Sequence, residues 1–173
     1  MTQGNTEKNH KPLTEREKWL ASQIVEIAIT VHRSLGPGLL ESIYEKCFCY
    51  ELTKRKIPFV KQKCTELIYD NVIIDEGLRI DIMVDDLVVI ELKAQEVYHP
   101  VWEAQLLSYL KLTNKRLGYI LNFHVPLMKE GLKRMILLLL QVNNISVIYF
   151  SLSVFHRVSL SPWFKIFLLW INN

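Results

Sequence analysis

Two apolar segments joined by an acidic turn, Leu78 to Val84 and Leu87 to Lys93, constrain the fold of this chain more than any other stretch. Ile80, Ile82, Val84, Val88 and Ile90 recur at the two-residue period of a strand, while Asp81, Glu91 and Lys93 take the alternate positions. A three-residue loop, Asp85-Asp86-Leu87, pairs Val84 with Val88, Ile82 with Ile90 and Ile80 with Leu92 on one face. Asp81 then faces Glu91, and Arg79 faces Lys93, on the other. A two-residue loop at Asp85-Asp86 sets Asp81 opposite Ile90 and mixes apolar and charged groups on both faces. The pattern therefore predicts the odd loop and a carboxylate pair across the hairpin.

Adjacent carboxylates repel, and burying charge costs roughly several kcal/mol unless it is paired or bound to a metal. Mg²⁺, or Mn²⁺, suits the pair: such an ion takes hard oxygen ligands, one or two carboxylates at a time, and completes its shell with water and phosphate oxygens. Lys93, on the face of Glu91, is placed to polarise or deprotonate a metal-bound water. The same residues also fit a plainer reading, a wet surface hairpin in which Asp81 pairs with Arg79 or Lys93.

The flanking sequence predicts a mixed α/β sheet flanked by helices. Thr14-Glu15-Arg16-Glu17 fits a capping box ahead of a helical stripe of Leu20, Ile24, Ile27, Ala28, Val31 and Leu35, which Gly36-Pro37-Gly38 stops. A second helix is expected from Leu39 to Lys56, with Glu41 at the edge of its apolar stripe. Strands follow at Phe59 to Tyr69, Val72 to Asp75 and Leu78 to Val84, the second pair broken at Gly77. Pro100 opens a helix from Val101 to Leu112, Leu117 to Phe123 reads as a strand, and Pro126 starts a last helix running to Ile136.

Charge is unevenly spread. The net charge is +3, and residues 137–173 hold Arg157 and Lys165 with no acid, leaving 19 basic and 18 acidic groups in the first 136 residues. So near-neutral a body does not announce a polyanion partner by itself. Cys47, Cys49 and Cys64 have no CxxC spacing and read as apolar fillers in a reducing compartment, and the polar start, Met1 to Pro12, lacks a secretory core. A cytoplasmic protein is expected. From Ile136 to Phe155 no residue is charged, a membrane-spanning length, but Gln141 and Asn143-Asn144 interrupt it and Ile145 to Phe150 looks like a strand after a turn. Three fates remain open for this tail: an added element packed on the domain, a membrane contact, or an unstructured extension. A surface so apolar also suits homodimerisation.

Several segments together resemble a known family. Gly38-Leu39-Leu40-Glu41-Ser42-Ile43-Tyr44 resembles the defining motif of the GxxExxY family, and Asp81 with Glu91-Leu92-Lys93 resembles the core of the PD-(D/E)xK nuclease superfamily. Gln105 and Tyr109 match the QxxxY helix of its exonuclease-like branch, and Leu117 to Phe123 with Val125-Pro126 resembles its closing strand and helix. Ile80 stands where the superfamily name has proline.

The resemblance implies a restriction-endonuclease-like core at residues 13–136, a flexible leader at 1–12 and an apolar extension at 137–173. It implies a Mg²⁺-dependent nuclease acting on DNA or, second, RNA. Asp81 and Glu91 would be direct metal ligands, Glu41 a further one through water, and the Leu92 carbonyl another. Lys93 would position or activate water, and Gln105 and Tyr109 would meet the substrate backbone or the lysine. The alternative is an inactive nuclease-fold module that binds nucleic acid or a protein. Taken without chemistry, Glu41 is a helix-start acid, Gln105 and Tyr109 edge the core, Trp102 packs, His99 is a cap or surface residue, and His32 is structural.

Overall fold

The computed structural model describes residues 12–70, 72–142 and 145–151. The helices are α1 (Glu15–Leu35), α2 (Glu41–Lys54), α3 (Val101–Leu112) and the short α4 (Met128–Gly131). The strands are β1 (Phe59–Tyr69), β2 (Val72–Val84), β3 (Val88–Lys93), β4 (Leu117–Asn122), β5 (Leu132–Val142) and β6 (Ile145–Ser151). They form one mixed sheet in chain order. Only β3 and β4 run parallel, with α3 as the crossover between them; the other neighbouring pairs are antiparallel.

Thr14 begins α1 through a complete capping box: its hydroxyl accepts from the Glu17 N–H at 3.2 Å, and Glu17 Oε2 accepts from the Thr14 N–H at 2.7 Å. Leu20, Ile24, Ile27, Ala28 and Val31 bury the inner stripe of this helix against Tyr44, Phe48 and Leu52 of α2 and one face of the sheet. That face carries Ile82, Val84, Val88, Ile90, Leu92, Leu117, Tyr119 and Leu121. Trp102, Leu106, Tyr109 and Leu110 of α3 cover the other face over Ile80, Met83, Val89, Ile120 and Met135. Gly118 lets α3 come this close, because a Cβ there would stand 2.8 Å from Leu106 Cδ1. The sheet is thus a layer buried on both sides, and α3 fixes which residues of β3 meet a helix.

Three expectations are corrected. Val72–Asp75 and Leu78–Val84 are one strand, β2, running through Gly77 without a break. Pro126 does not start a long helix: α4 lasts one turn, and Leu132 onward is strand β5. Its apolar residues enter both faces, Met135 and Leu137 beneath α3 and Leu132 and Ile136 against the other core. A run apolar on both sides carries no period that separates strand from helix.

The third correction concerns the hairpin. The three-residue loop and the pairs Val84–Val88 and Ile82–Ile90 are as expected, but the β2–β3 ladder stops at Ile82–Ile90. Neither Ile80–Leu92 nor Asp81–Glu91 pairs in register. Across β2, Gln62 of β1 has φ +47° and drops out of the ladder between Lys61–Ile82 and Lys63–Ile80. Ile82 and Ile80 belong to different cores: Ile82 packs with α1 and α2, while Ile80 packs with Met83 beneath α3.

β5 and β6 carry the sheet beyond residue 136, pairing from Ile136–Ser151 to Val142–Ile145. The strand read at Ile145 to Phe150 is therefore present. Among the described residues no helix is long and apolar enough to cross a membrane. The expected leader, apart from residue 12, and the tail from residue 152 lie outside the described residues.

Candidate active site

The Gly-x-x-Glu-x-x-Tyr motif is a mechanical unit. Gly36 and Gly38 take φ +68° and +97°, a region that favours glycine, and so turn the chain from α1 into α2. Tyr44, fully buried one turn into α2, donates its hydroxyl to the Gly36 carbonyl at 2.7 Å and accepts the Leu39 N–H at 3.1 Å. Its ring stacks on Phe123 with centroids 4.5 Å apart. The loop is thereby stapled to the first turn of α2, where Glu41 sits as the first helical residue.

On the sheet, the Asp81 side chain reaches across from β2 to β3, where Oδ2 accepts the Leu92 N–H at 2.8 Å. A carboxylate has taken the place of a ladder carbonyl. Glu91 and Lys93 alternate with Leu92 and lie on the face toward α3. Glu91 is 1% exposed; its Oε2 takes a hydrogen bond from Lys93 Nζ at 3.1 Å, and its Oε1 is buried with no partner.

These groups feel each other. Burial pushes the Glu91 carboxyl up to about 7, the Asp81 charge adds to the shift, and the Lys93 ammonium opposes it. Burial likewise raises Asp81, against the Leu92 N–H and Lys93, and it raises Glu41, against Lys93 and with Asp81. For Lys93 burial works downward, but Glu91, Asp81 and Glu41 outweigh it and hold the ammonium above the usual lysine range. Helix α2 and strands β2 and β3 thus bring Glu41, Asp81, Glu91 and Lys93 to one place.

From α3, Gln105 Nε2 donates to the Tyr109 hydroxyl at 2.9 Å. Tyr109 is raised by burial and by the Glu91 and Asp81 charges, so its hydroxyl lies within their field. The two residues sit four apart on one helical face and close the site from the α3 side. Trp102 packs in the α3 core as its spacing predicts, His99 is exposed with Nδ1 accepting the Val101 N–H at 3.4 Å, and His32 Nε2 lies 2.7 Å from the Val125 carbonyl in a structural contact.

Two participants were not legible as such. Glu45, one turn after Glu41, is a further acid in the neighbourhood, raising both Asp81 and Glu41 while resting 3.9 Å from Lys61. Its signal was the four-residue spacing from Glu41. Asn122 is buried and pairs in register with Lys93. Its Oδ1 accepts the Gln95 and His124 N–H groups at 3.1 and 3.2 Å, and its Nδ2 donates to the Gln95 carbonyl at 2.8 Å. The chain leaving Lys93 is clamped by that amide. A lone polar residue closing an apolar strand was its mark.

The residues fit a hard divalent ion. A buried carboxylate oxygen without a partner, beside a second carboxylate, offers the hard oxygen donors that such an ion takes. Among the described residues no three His, Cys, Asp or Glu groups are gathered closely enough to hold an ion by themselves. Two neighbouring carboxylates, Asp81 and Glu91, could hold an ion that keeps water and substrate oxygens. An open groove of about 630 Å³ reaches the site, with Glu41, Lys93 and Gln105 among its lining.

A family model described as the PD-(D/E)XK nuclease superfamily matches residues 18–135, from α1 into β5. No curated protein and no solved structure matches the chain. The matched span holds every element of the site.

Proposed function

The chain belongs to the PD-(D/E)XK nuclease superfamily, with the restriction-endonuclease-like α/β fold, and from that premise we propose that it is a divalent-metal-dependent nuclease of the GxxExxY kind. It hydrolyses phosphodiester bonds, with DNA as the first expected substrate. The observation that carries this reading is Glu91: a carboxylate 1% exposed, with one oxygen unpartnered and its pKa pushed up to about 7 beside Asp81. Structural carboxylates are satisfied, whereas strongly perturbed ones beside a groove mark functional sites.

Asp81 and Glu91 would hold Mg²⁺ or Mn²⁺, with the Leu92 carbonyl and, through water, Glu41. Such an ion supplies charge against the phosphate and lowers the pKa of a bound water. Glu91 gives its unpartnered oxygen to that role and keeps Lys93 on the other. Asp81 is oriented by the Leu92 N–H, so its second oxygen is free to turn toward the same point. Lys93, beside the carboxylates, would serve as a positive charge and donor toward the phosphate oxygens. Gln105, restrained by Tyr109, presents an amide to the substrate backbone from the groove wall.

A second reading is favoured by one observation, the 19 basic against 18 acidic groups of the first 136 residues. With so weak a field for a polyanion, the same fold would serve as a binding module without turnover. Cleavage of plasmid, single-stranded DNA and RNA in Mg²⁺, compared for wild type and Asp81→Ala, separates the two. Cleavage lost on substitution supports the nuclease, and cleavage that survives it places the activity elsewhere. Ion binding lost in Glu91→Ala, with no cleavage of any substrate by wild type, supports the module.

A further inference from the structure

The groove beside the carboxylates has an unlike lining. Glu41, Lys93, Gln95, His99 and Gln105 are polar, while Val97, Val101 and Trp102 give it an apolar part. Val97 is 74% and Val101 55% exposed, so two valines face solvent beside the most polar part of the molecule. The wall behind them is braced. Trp102 meets Tyr98 edge to face at 5.1 Å, the Tyr98 hydroxyl donates to Glu103 at 2.7 Å, and Lys133 binds that carboxylate from below.

We propose that this apolar part receives an unpaired nucleobase while Lys93 faces the neighbouring phosphate, so that the substrate class is single-stranded nucleic acid. The proposal rests on the nuclease reading above and names what that site acts on. Charge argues for it. Lys93 is the only Lys or Arg among the described residues lining the groove, and Lys133 behind it is occupied by Glu103. Duplex binding typically neutralises about six to ten phosphates, which one ammonium does not supply, whereas single strands gain much of their affinity from base contacts. Size agrees: an open groove of about 630 Å³ has room for a nucleotide lying along it. His99 adds a polar handle, because Nδ1 accepts the Val101 N–H and Nε2–H is left to donate to a base carbonyl.

The test is fluorescence anisotropy with the full chain, in chelator and again with Ca²⁺. The probes are a short oligodeoxythymidylate, a duplex of equal length, and a base-free sugar-phosphate strand. The thymidylate should bind at least about tenfold tighter than the base-free strand, the order expected for one seated base. The Val97→Ser/Val101→Ser variant, folded by its thermal melt, should lose most of that advantage and keep its affinity for the base-free strand. Equal affinity for the base-free strand, tighter binding of the duplex, or an unchanged advantage in the serine variant overturns the proposal. Duplex cleavage that Asp81→Ala abolishes, without any base advantage, overturns this inference and leaves the nuclease standing. Failure to bind or cleave any of the three overturns both.

Discussion

The Tyr44 hydroxyl donates to the Gly36 carbonyl at 2.7 Å, joining the first turn of α2 to the glycine loop before it. The same oxygen accepts the Leu39 N–H, so one side chain satisfies two backbone groups of a turn that glycine alone cannot hold. Glu41, three residues before Tyr44, is placed by this staple together with its own contact to the Ala94 backbone.

Tyr44→Phe keeps the ring on Phe123 and removes both hydrogen bonds. Leaving two such groups unpaired should cost about 1–3 kcal/mol, read as a lower urea midpoint at unchanged slope. Because the loss frees the loop rather than the carboxylates, cleavage should fall by less than in Asp81→Ala while divalent-ion affinity changes little.

Acid titration should expose the strain at Glu91. Its folded-state pKa of about 7 stands above the 4.5 of an ordinary glutamate, so the folded protein binds the extra proton and its stability falls as pH rises through that window. In chelator the loss should approach about 3 kcal/mol between the two values, a shift of one unit being worth about 1.4 kcal/mol. Above pH 7 this contribution is flat. Mg²⁺ should offset the loss, raising the melting temperature more at pH 8 than at pH 5, with proton release on binding near pH 6 measurable by calorimetry in two buffers.

Gly131→Ala tests the tight approach that ends α4. A Cβ at this position would stand 1.9 Å from the Asn122 carbonyl, a backbone atom with no room to yield. Destabilisation of roughly 3 kcal/mol or more is expected in chemical denaturation. Asn122 also clamps Gln95, so the damage should reach the groove as well as the sheet.

Tyr109→Phe removes the partner of Gln105 and leaves the α3 packing intact. With the amide unrestrained, cleavage should slow by about tenfold while the melting temperature moves by no more than a few degrees. Gln105→Ala should match it, and the double variant should cost no more than either alone, the signature of one unit acting together.

Much of this molecule is readable where one residue decides the outcome. Thr14 and Glu17 set the start of α1, Pro100 and the Val101–Leu112 stripe set α3, and alternating isoleucines and valines set the odd loop at Asp85–Leu87. Reading fails where two elements share the decision. Leu132 to Ile136 is a strand because both cores claim it, and its residues alone carry no such information. Alternation predicts Asp81 opposite Glu91, but the β2–β3 ladder ends at Ile82–Ile90 and the Asp81 carboxylate accepts the Leu92 N–H instead. The carboxylates still meet, by a contact that periodicity does not describe. Asn122 and Glu45 stayed hidden because their partners are fixed by the tertiary fold.

Glu91→Gln tests the central claim most directly, because it separates what the fold needs from what a nuclease needs. The amide keeps the size of the side chain and removes the buried charge. Metal-free at pH 8, the variant should be at least as stable as wild type, while Mg²⁺-dependent cleavage should drop by more than the roughly 10–100-fold that loss of a ligand's outer partner costs. A variant that is less stable than wild type and still cleaves within tenfold of it would show Glu91 to be an ordinary structural carboxylate, and would contradict the account.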